Sequence, residues 1–401
     1  MKVLHVIPAI ASRYGGPSQA VYTMCRALQA QGIDLLIATT NADGDAELPV
    51  VLSKPIVYQD VPTIFFARQF SEALKYSRQL AEWLGEHVVD FDVVHIHAVY
   101  SHACVAAARA CQKHGVPYVV RPLGTLDPWS LKQKQFRKKV FWHLGVKQML
   151  RRADVIHYTT AEEKRLVEYG LGLLNGVVIP NGIDLTDALR YRDRHRAADL
   201  TLAPASSQSR YCNKYVLALS RIHPKKGYEL LIESFGNLKR QDMFSDWQLI
   251  IAGDGQTEYV DQLKNLAERN GLNGDASFVG WLEGRSKYDA LQGAALMALP
   301  SYQENFGISL VEAMACGVPV LVSPHVNLAP EIKEAGAGWI AELNKEDFAN
   351  VLAQALGNEQ ERKCRGERGR QLANSFGADE VATRLIRLYA SLTENCPQQS
   401  N

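Results

Sequence analysis

The chain lacks the features that define several large classes of protein. Across 401 residues no apolar run approaches the ~18 residues needed to read as a membrane-spanning helix. It has no charge excess: 44 Lys+Arg against 43 Asp+Glu leave a net charge of +1, which argues against a protein that grips nucleic acid through bulk charge. It has no cysteine pattern either. The seven cysteines, at 25, 104, 111, 212, 316, 364 and 396, are odd in number, scattered and free of any C-x-x-C, so they read as reduced thiols of a cytosolic protein. The glycines before the first helix do not spell G-x-G-x-x-G, so the dinucleotide fingerprint is missing. The opening MKVLHVIPAI is broken by His5 and Pro8, and a first buried strand explains it better than an export leader.

What is present is a long series of apolar strands alternating with amphipathic helices. Strands are expected at 2–7, 34–40, 92–97, 117–122, 154–160 and 177–184, with helices at 18–31, 71–86, 102–115 and from Ala161. A polar, Ser-rich stretch at 190–213 reads as linker and surface loop. A second series follows, with strands at 215–220, 247–253, 276–281, 296–301 and 318–322 and helices at 227–240, 257–270, 285–293 and 307–316. Alternation at this spacing predicts parallel sheets, and the length exceeds what one core supports. The expectation is therefore α/β, two doubly wound Rossmann-like domains facing a cleft.

The second series carries phosphate chemistry. In LPSYQENFGISLVEAMACGVPVLV (299–322), Gly307 opens a short helix and Gly317 with Pro319 closes it. The N–H groups near Gly307, Ile308 and Ser309 then face outward as an anion site. Glu304 stands just outside that mouth, and Glu312 lies inside the helix, where a glutamate needs a partner or a ligand; a solvated Glu at each position is the plainer reading. After the strand at 215–220, Arg221 and Lys226 sit five apart in a turn, suited to a diphosphate through a planar fork and a point charge.

The first series offers less. Gly15, Gly16 and Pro17 precede a helix, as a ligand-approach loop or only a tight turn. His95 and His97 share one strand face, with His97 at the carboxyl end where open parallel sheets bind ligands, although a strand-end histidine is more often structural. Arg121 ends the next strand before LGTLDP. Between Asp127 and Asp154 there is no acidic residue and there are eight cations (Lys132, Lys134, Arg137, Lys138, Lys139, Lys147, Arg151, Arg152). That suits an anionic membrane surface or a phosphate-bearing acceptor, and equally a solvated basic face. Two D-x-D triplets, Asp43-Gly-Asp45 and Asp90-Phe-Asp92, have the composition to bind divalent ions but lie outside the second series.

Together R-x-x-x-x-K-G at 221–227, AGDG at 252–255, FVGWL at 278–282 and E-N-F-G-I-S-L-V-E-A-M-A-C-G-V-P-V from 304 resemble the retaining nucleotide-sugar glycosyltransferases of family four, of GT-B fold. GGP, HIHAVYS, RPLGTLDPWSL and IPNGID in the first half fit the same family. The resemblance implies an acceptor-side domain over 1–182, with a last helix (376–401) packing back on it, and a nucleotide-sugar domain over 183–375. It implies that Arg221 and Lys226 hold the diphosphate, assisted by backbone from Gly307 to Leu310. Glu304 would bind the transferred sugar, Glu312 the ribose, and the base would lie near Phe278, Val279 and Gly280, with Gly253, Asn305 and Phe306 also on the donor side. His97 would face the sugar, Gly15 and Gly16 would line the mouth, and Arg121 and Asp127 would stand on the acceptor side. The activity implied is transfer of a hexose, with UDP-glucose the first donor to consider, to a glycan or lipid-linked saccharide, as in polysaccharide or glycolipid biosynthesis. No metal or other cofactor is expected, and the place of work is the cytoplasm or the inner membrane face. An epimerase on the same architecture and a non-catalytic donor-binding subunit are the competing readings.

Overall fold

The computed structural model describes residues 1–70, 72–132, 135–186, 188 and 214–394, with side chains left undescribed from 132 to 137. The linker expected at 190–213, the tail from 395 and the cations Lys132, Lys134 and Arg137 therefore lie outside the described side chains. Contacts divide the chain into two compact units: residues 1–182 with 378–401, and residues 183–377.

The first unit holds an eight-stranded sheet. Its strands are β1 (Lys2–Ala9), β2 (Asp34–Thr40), β3 (Pro55–Tyr58), β4 (Val61–Phe66), β5 (Val93–His97), β6 (Tyr118–Arg121), β7 (Val155–Tyr158) and β8 (Gly176–Val178), in the order β8-β7-β6-β5-β1-β2-β4-β3. All pairs are parallel except β3 with β4. The helices used below are α1 (Gly16–Ala30), α2 (Arg78–His87) and α3 (His102–His114). Strand alternation sends Leu4, Val94 and Val120 into a core with α3, and Val3, Val93 and Val119 into a core with α1. The second core is completed by the chain's return, a helix over Ala378–Glu394 that contributes Val381, Leu385 and Tyr389.

Two local expectations are corrected. The helix placed at 71–86 starts only at Arg78, where Ser77 caps it by accepting from Leu80 N at 3.3 Å. The strand pair β3–β4 was not anticipated. Pro55 opens the edge strand, a position that tolerates a missing N–H.

The second unit holds six parallel strands in the order β11-β10-β9-β12-β13-β14: β9 (Tyr215–Leu219), β10 (Gln248–Ala252), β11 (Ala276–Gly280), β12 (Leu296–Leu299), β13 (Val320–Val322) and β14 (Gly338–Ile340). Most of these strands are buried on both faces, which explains why they read as unbroken apolar runs.

Candidate functional site

The turn after β9 and the loop after β12 meet at the carboxyl end of the second sheet. Gly227, at φ 69°, lies so close to the Pro300 carbonyl that a side chain has no room, and Tyr302 N donates to Lys225 O at 2.8 Å. The loop itself is fixed by its backbone: Glu304 N donates to His325 O (3.1 Å), and Asn327 N donates to Glu304 O (2.9 Å). Phe306 anchors it, buried edge-on to Phe376 with ring centroids 5.6 Å apart.

These constraints bring Lys226 and Glu304 into a buried ion pair. Burial alone would raise the Glu304 carboxyl, but Lys226, Lys225 and Arg221 outweigh it and hold the group below its ordinary value. His223 is pushed down by desolvation and by Lys225, Arg221 and Lys226, so this corner is electropositive despite the glutamate. The expectation kept Lys226 for phosphate and Glu304 for sugar as separate contacts; the structure joins them.

Beside the pair, Gly307 (φ 79°, ψ 63°) caps a helix over Ile308–Ala315, hereafter the α-turn helix, without any side-chain cap. The first N–H groups of an uncapped helix are donors for an anion. Glu312, in the same helix, pairs with Lys287 at 2.7 Å, the side chains 12% and 17% exposed. Lys287 was not singled out from the sequence, because nothing in its spacing ties it to residue 312. The loops of β9, β10 and β11 are also tied together: Ser220 N donates to Ala252 O (3.1 Å) and Gly253 N to Gly280 O (2.8 Å). Gly253 and Gly280, at φ 148° and 74°, thus border one another next to Phe278 and Val279.

The first unit corrects the reading of His97. Odd-numbered positions of β1, β5, β6 and β7 face the returning helix, and there His5, His95, His97, Arg121 and His157 are all fully buried. His97 Nε2 meets His5 Nδ1 at 3.0 Å, and its Nδ1 meets Arg121 Nη1 at 3.4 Å. With both ring nitrogens engaged in the core, His97 presents no free edge to a substrate.

The tautomers follow from the donors. Ile179 O accepts from His157 Nε2 (2.7 Å), so His157 Nδ1 accepts from His95 Nε2 (3.2 Å) and His95 Nδ1 accepts from Tyr389 Oη (2.7 Å). Desolvation foremost, with Arg121 contributing, pushes His5 and His157 down to about 3. One ring nitrogen each from His5, His95 and His97 lies within 4.8 Å of the others, a spacing a metal ion can use. The adjacent Arg121 guanidinium and the nitrogens already engaged oppose a cation there.

Arg121 is itself buried, donating to Asn181 Oδ1. Asp127 accepts from Ser130 N at 2.6 Å and so holds the turn into the next helix. Neither is exposed to an acceptor. Gly15, at φ 71°, and Gly16 do open α1 without a side-chain cap. Of the D-x-D triplets, Asp92 accepts from Lys2 N at 2.7 Å and Asp43 lies in a short hairpin beside Arg13.

Comparison with known proteins gives a consistent picture. Residues 14–187 match the model described as Glycosyltransferase Family 4, and residues 203–372 match that of Glycosyl transferases group 1. A D-inositol 3-phosphate glycosyltransferase of Nocardia farcinica is 28% identical over 342 residues, 83% of this chain and 72% of that protein. A mannosylfructose-phosphate synthase of Agrobacterium fabrum is 25% identical over 385 residues, 88% of this chain and 81% of that one. Among solved structures, a sucrose-phosphate synthase of Thermosynechococcus elongatus superposes with a TM-score of 0.75 at 18% identity, covering 98% of this chain and 99% of that one. Anabaena HepE in complex with UDP and glucose gives 0.74 at 20%, covering 98% and 100%. These likenesses are to the GT-B fold. Among the described residues no helix is long and apolar enough to cross a membrane.

Proposed function

The chain belongs to the family-four glycosyltransferases, and from that premise we propose that it moves a hexose, with retention, from a nucleoside diphosphate sugar to a hydroxyl of a phosphate-bearing saccharide. UDP-glucose is the favoured donor, in keeping with the UDP and glucose held by Anabaena HepE. A phosphate-bearing acceptor, free or lipid-linked, is in keeping with the sugar-phosphate names of the relatives.

The observation that carries this reading is the electropositive corner formed by Arg221, Lys225 and Lys226 beside an uncapped helix N-terminus. Fixed cations and N–H dipoles of this kind stabilise a leaving diphosphate without reorganising. In the step proposed, the acceptor oxygen bonds to the anomeric carbon as the bond to the diphosphate oxygen breaks on the same face. The acceptor's proton passes to the departing phosphate oxygen. Glu304 borders the sugar, where positive charge develops, and Glu312, held by Lys287, takes the ribose hydroxyls. The base lies by Phe278 to Gly280. No metal is required, since the protein's own cations neutralise the leaving group.

The test is slow hydrolysis of UDP-, GDP- and ADP-glucose by the isolated chain, with and without EDTA. UDP-glucose should yield UDP and glucose at the same rate in chelator. No cleavage of any sugar nucleotide, or rescue by a divalent ion after EDTA, overturns the proposal.

A further inference from the structure

The loop between β4 and α2 holds an apolar ring in water at a conformational cost. Phe70 is 82% exposed, at φ 61°, the left-handed region that a bulky side chain rarely adopts. The loop around it is fastened. Gln69 N donates to Tyr76 O at 2.7 Å, and Glu72 accepts from Tyr14 Oη (2.7 Å), Lys75 Nζ (2.7 Å) and Arg68 Nη1 (3.1 Å). A strained, well-anchored and exposed aromatic residue serves packing poorly and serves a ligand well.

The ring does not stand alone. Phe70 lies 5.6 Å from Tyr76 between centroids, and Tyr76 lies 4.2 Å from His102, the first residue of α3. The ledge therefore ends at the N-terminus of a 13-residue helix. Ser101 occupies the N-cap position there, yet its side chain caps nothing. Its hydroxyl is 5% exposed as a residue and has no hydrogen-bond partner, and His102 Nδ1 is likewise unpartnered. Buried hydroxyls are nearly always satisfied, so an idle one beside free helix N–H groups marks a place for an acceptor of hydrogen bonds.

We propose that Phe70, Tyr76, His102 and Ser101 form a subsite for a phosphorylated sugar, the pyranose laid on the Phe70–Tyr76 ledge and the phosphate at the α3 N-terminus against Ser101 Oγ. Aromatic faces take the apolar C–H face of a sugar, and a helix terminus with a spare hydroxyl takes an anion. The inference rests on the proposed function in assigning this ligand the role of acceptor; the site itself stands on the geometry above.

Titration calorimetry of the full chain with glucose, glucose 6-phosphate and farnesyl-diphospho-glucose tests it, with UDP titrated separately. Glucose 6-phosphate should bind at least about tenfold more tightly than glucose, the gain expected of a charge-assisted contact. Ser101→Ala should erase most of that preference while leaving the melting temperature unchanged or higher, because it removes an unsatisfied group. Phe70→Ser should weaken both sugars about fivefold, and Phe70→Trp should restore them. Binding of the farnesyl compound alone, if it is lost in Ser101→Ala, assigns the same phosphate site to a lipid-linked source. No binding of either phosphorylated probe, or equal binding in wild type and both loss variants, overturns the inference. UDP affinity is read in the same samples: if UDP fails to bind, the proposed function falls, whereas normal UDP binding with sugar binding indifferent to residues 70 and 101 removes only the subsite.

Discussion

Replacing Glu304 by Gln separates the two roles that the structure has joined at Lys226. In the donor-free protein the carboxylate is the counter-ion of a lysine that is only 6% exposed. Breaking a buried pair costs about 3–5 kcal/mol because a charge is left uncompensated. With Glu304 15% exposed, the lower end, about 3 kcal/mol, is the appropriate figure. For a unit of this size each kcal/mol moves the melting temperature by about 2–4 °C, so the variant should melt about 6–12 °C lower. Nucleotide then acts in the opposite direction. A diphosphate reaching Lys226 in the wild type competes with Glu304, whereas in the variant it supplies the missing counter-ion. UDP affinity should rise about tenfold, or 1.4 kcal/mol, and UDP should raise the melting temperature more than in the wild type. Turnover of the sugar nucleotide should still fall, since the group bordering the sugar has changed. Calorimetry and thermal melts with and without UDP check this. Unchanged or weaker UDP binding in the Gln variant, with an unchanged melting temperature, would refute the shared-lysine reasoning.

Glu312→Ala should weaken UDP binding itself, and Lys287→Met should reproduce part of that loss through the 2.7 Å pair; full UDP affinity in the Lys287 variant would dissociate the two residues. Val140, Leu144 and the cations Lys139, Arg151 and Arg152 of the same acid-free segment are all exposed, so the chain should cosediment with anionic liposomes at low salt and be released as salt rises; absence of binding at low salt rejects the membrane reading. The buried histidines give a pH prediction. His5 and His157 titrate near 3 when folded and near 6.5 when unfolded, so stability is intact above pH 6.5 and falls as pH drops toward 3. Each of the two loses about 1.4 kcal/mol per pH unit in that window, and urea midpoints that do not move between pH 7 and 5 would contradict their neutrality.

The parts of the second unit's candidate site were legible because each is local in sequence. A glycine-opened helix, a glutamate three residues before that glycine and a strand-end R-x-x-x-x-K-G each make a local statement, and parallel topology gathers strand ends at one edge without further instruction. The pairing of Lys226 with Glu304, 78 residues apart, was not legible, because it depends on the register of two loops. In the first unit the difficulty was greater. Alternation along β5 correctly put His95 and His97 on one face, but what covers that face comes from the far end of the chain: Tyr389 is 294 residues from its partner His95. A helix that returns after a whole intervening unit leaves no local signal. Strand-end position therefore suggested a substrate contact where the fold builds a buried polar core, while the exposed Phe70 stands one residue before the segment read as helix.

The charges of the cationic corner fit the proposed donor chemistry. Lys287 cancels Glu312 and Glu304 cancels Lys226, while Arg221 and Lys225 add to the field that holds the Glu304 carboxyl below its ordinary value. In the proposed reaction the donor brings one negative charge on each of its two phosphates to these cations. As the bond to the sugar breaks, and until the acceptor's proton arrives, the leaving diphosphate of the proposed donor would gain negative charge on its terminal phosphate and be attracted more strongly than the substrate. That difference is what lowers a barrier, since only interactions that strengthen toward the transition state accelerate the step. The glutamate that tempers the corner is then part of the same logic. Without it Lys226 would lose its counter-ion and hold the donor and the spent nucleotide more tightly, giving affinity at the expense of release.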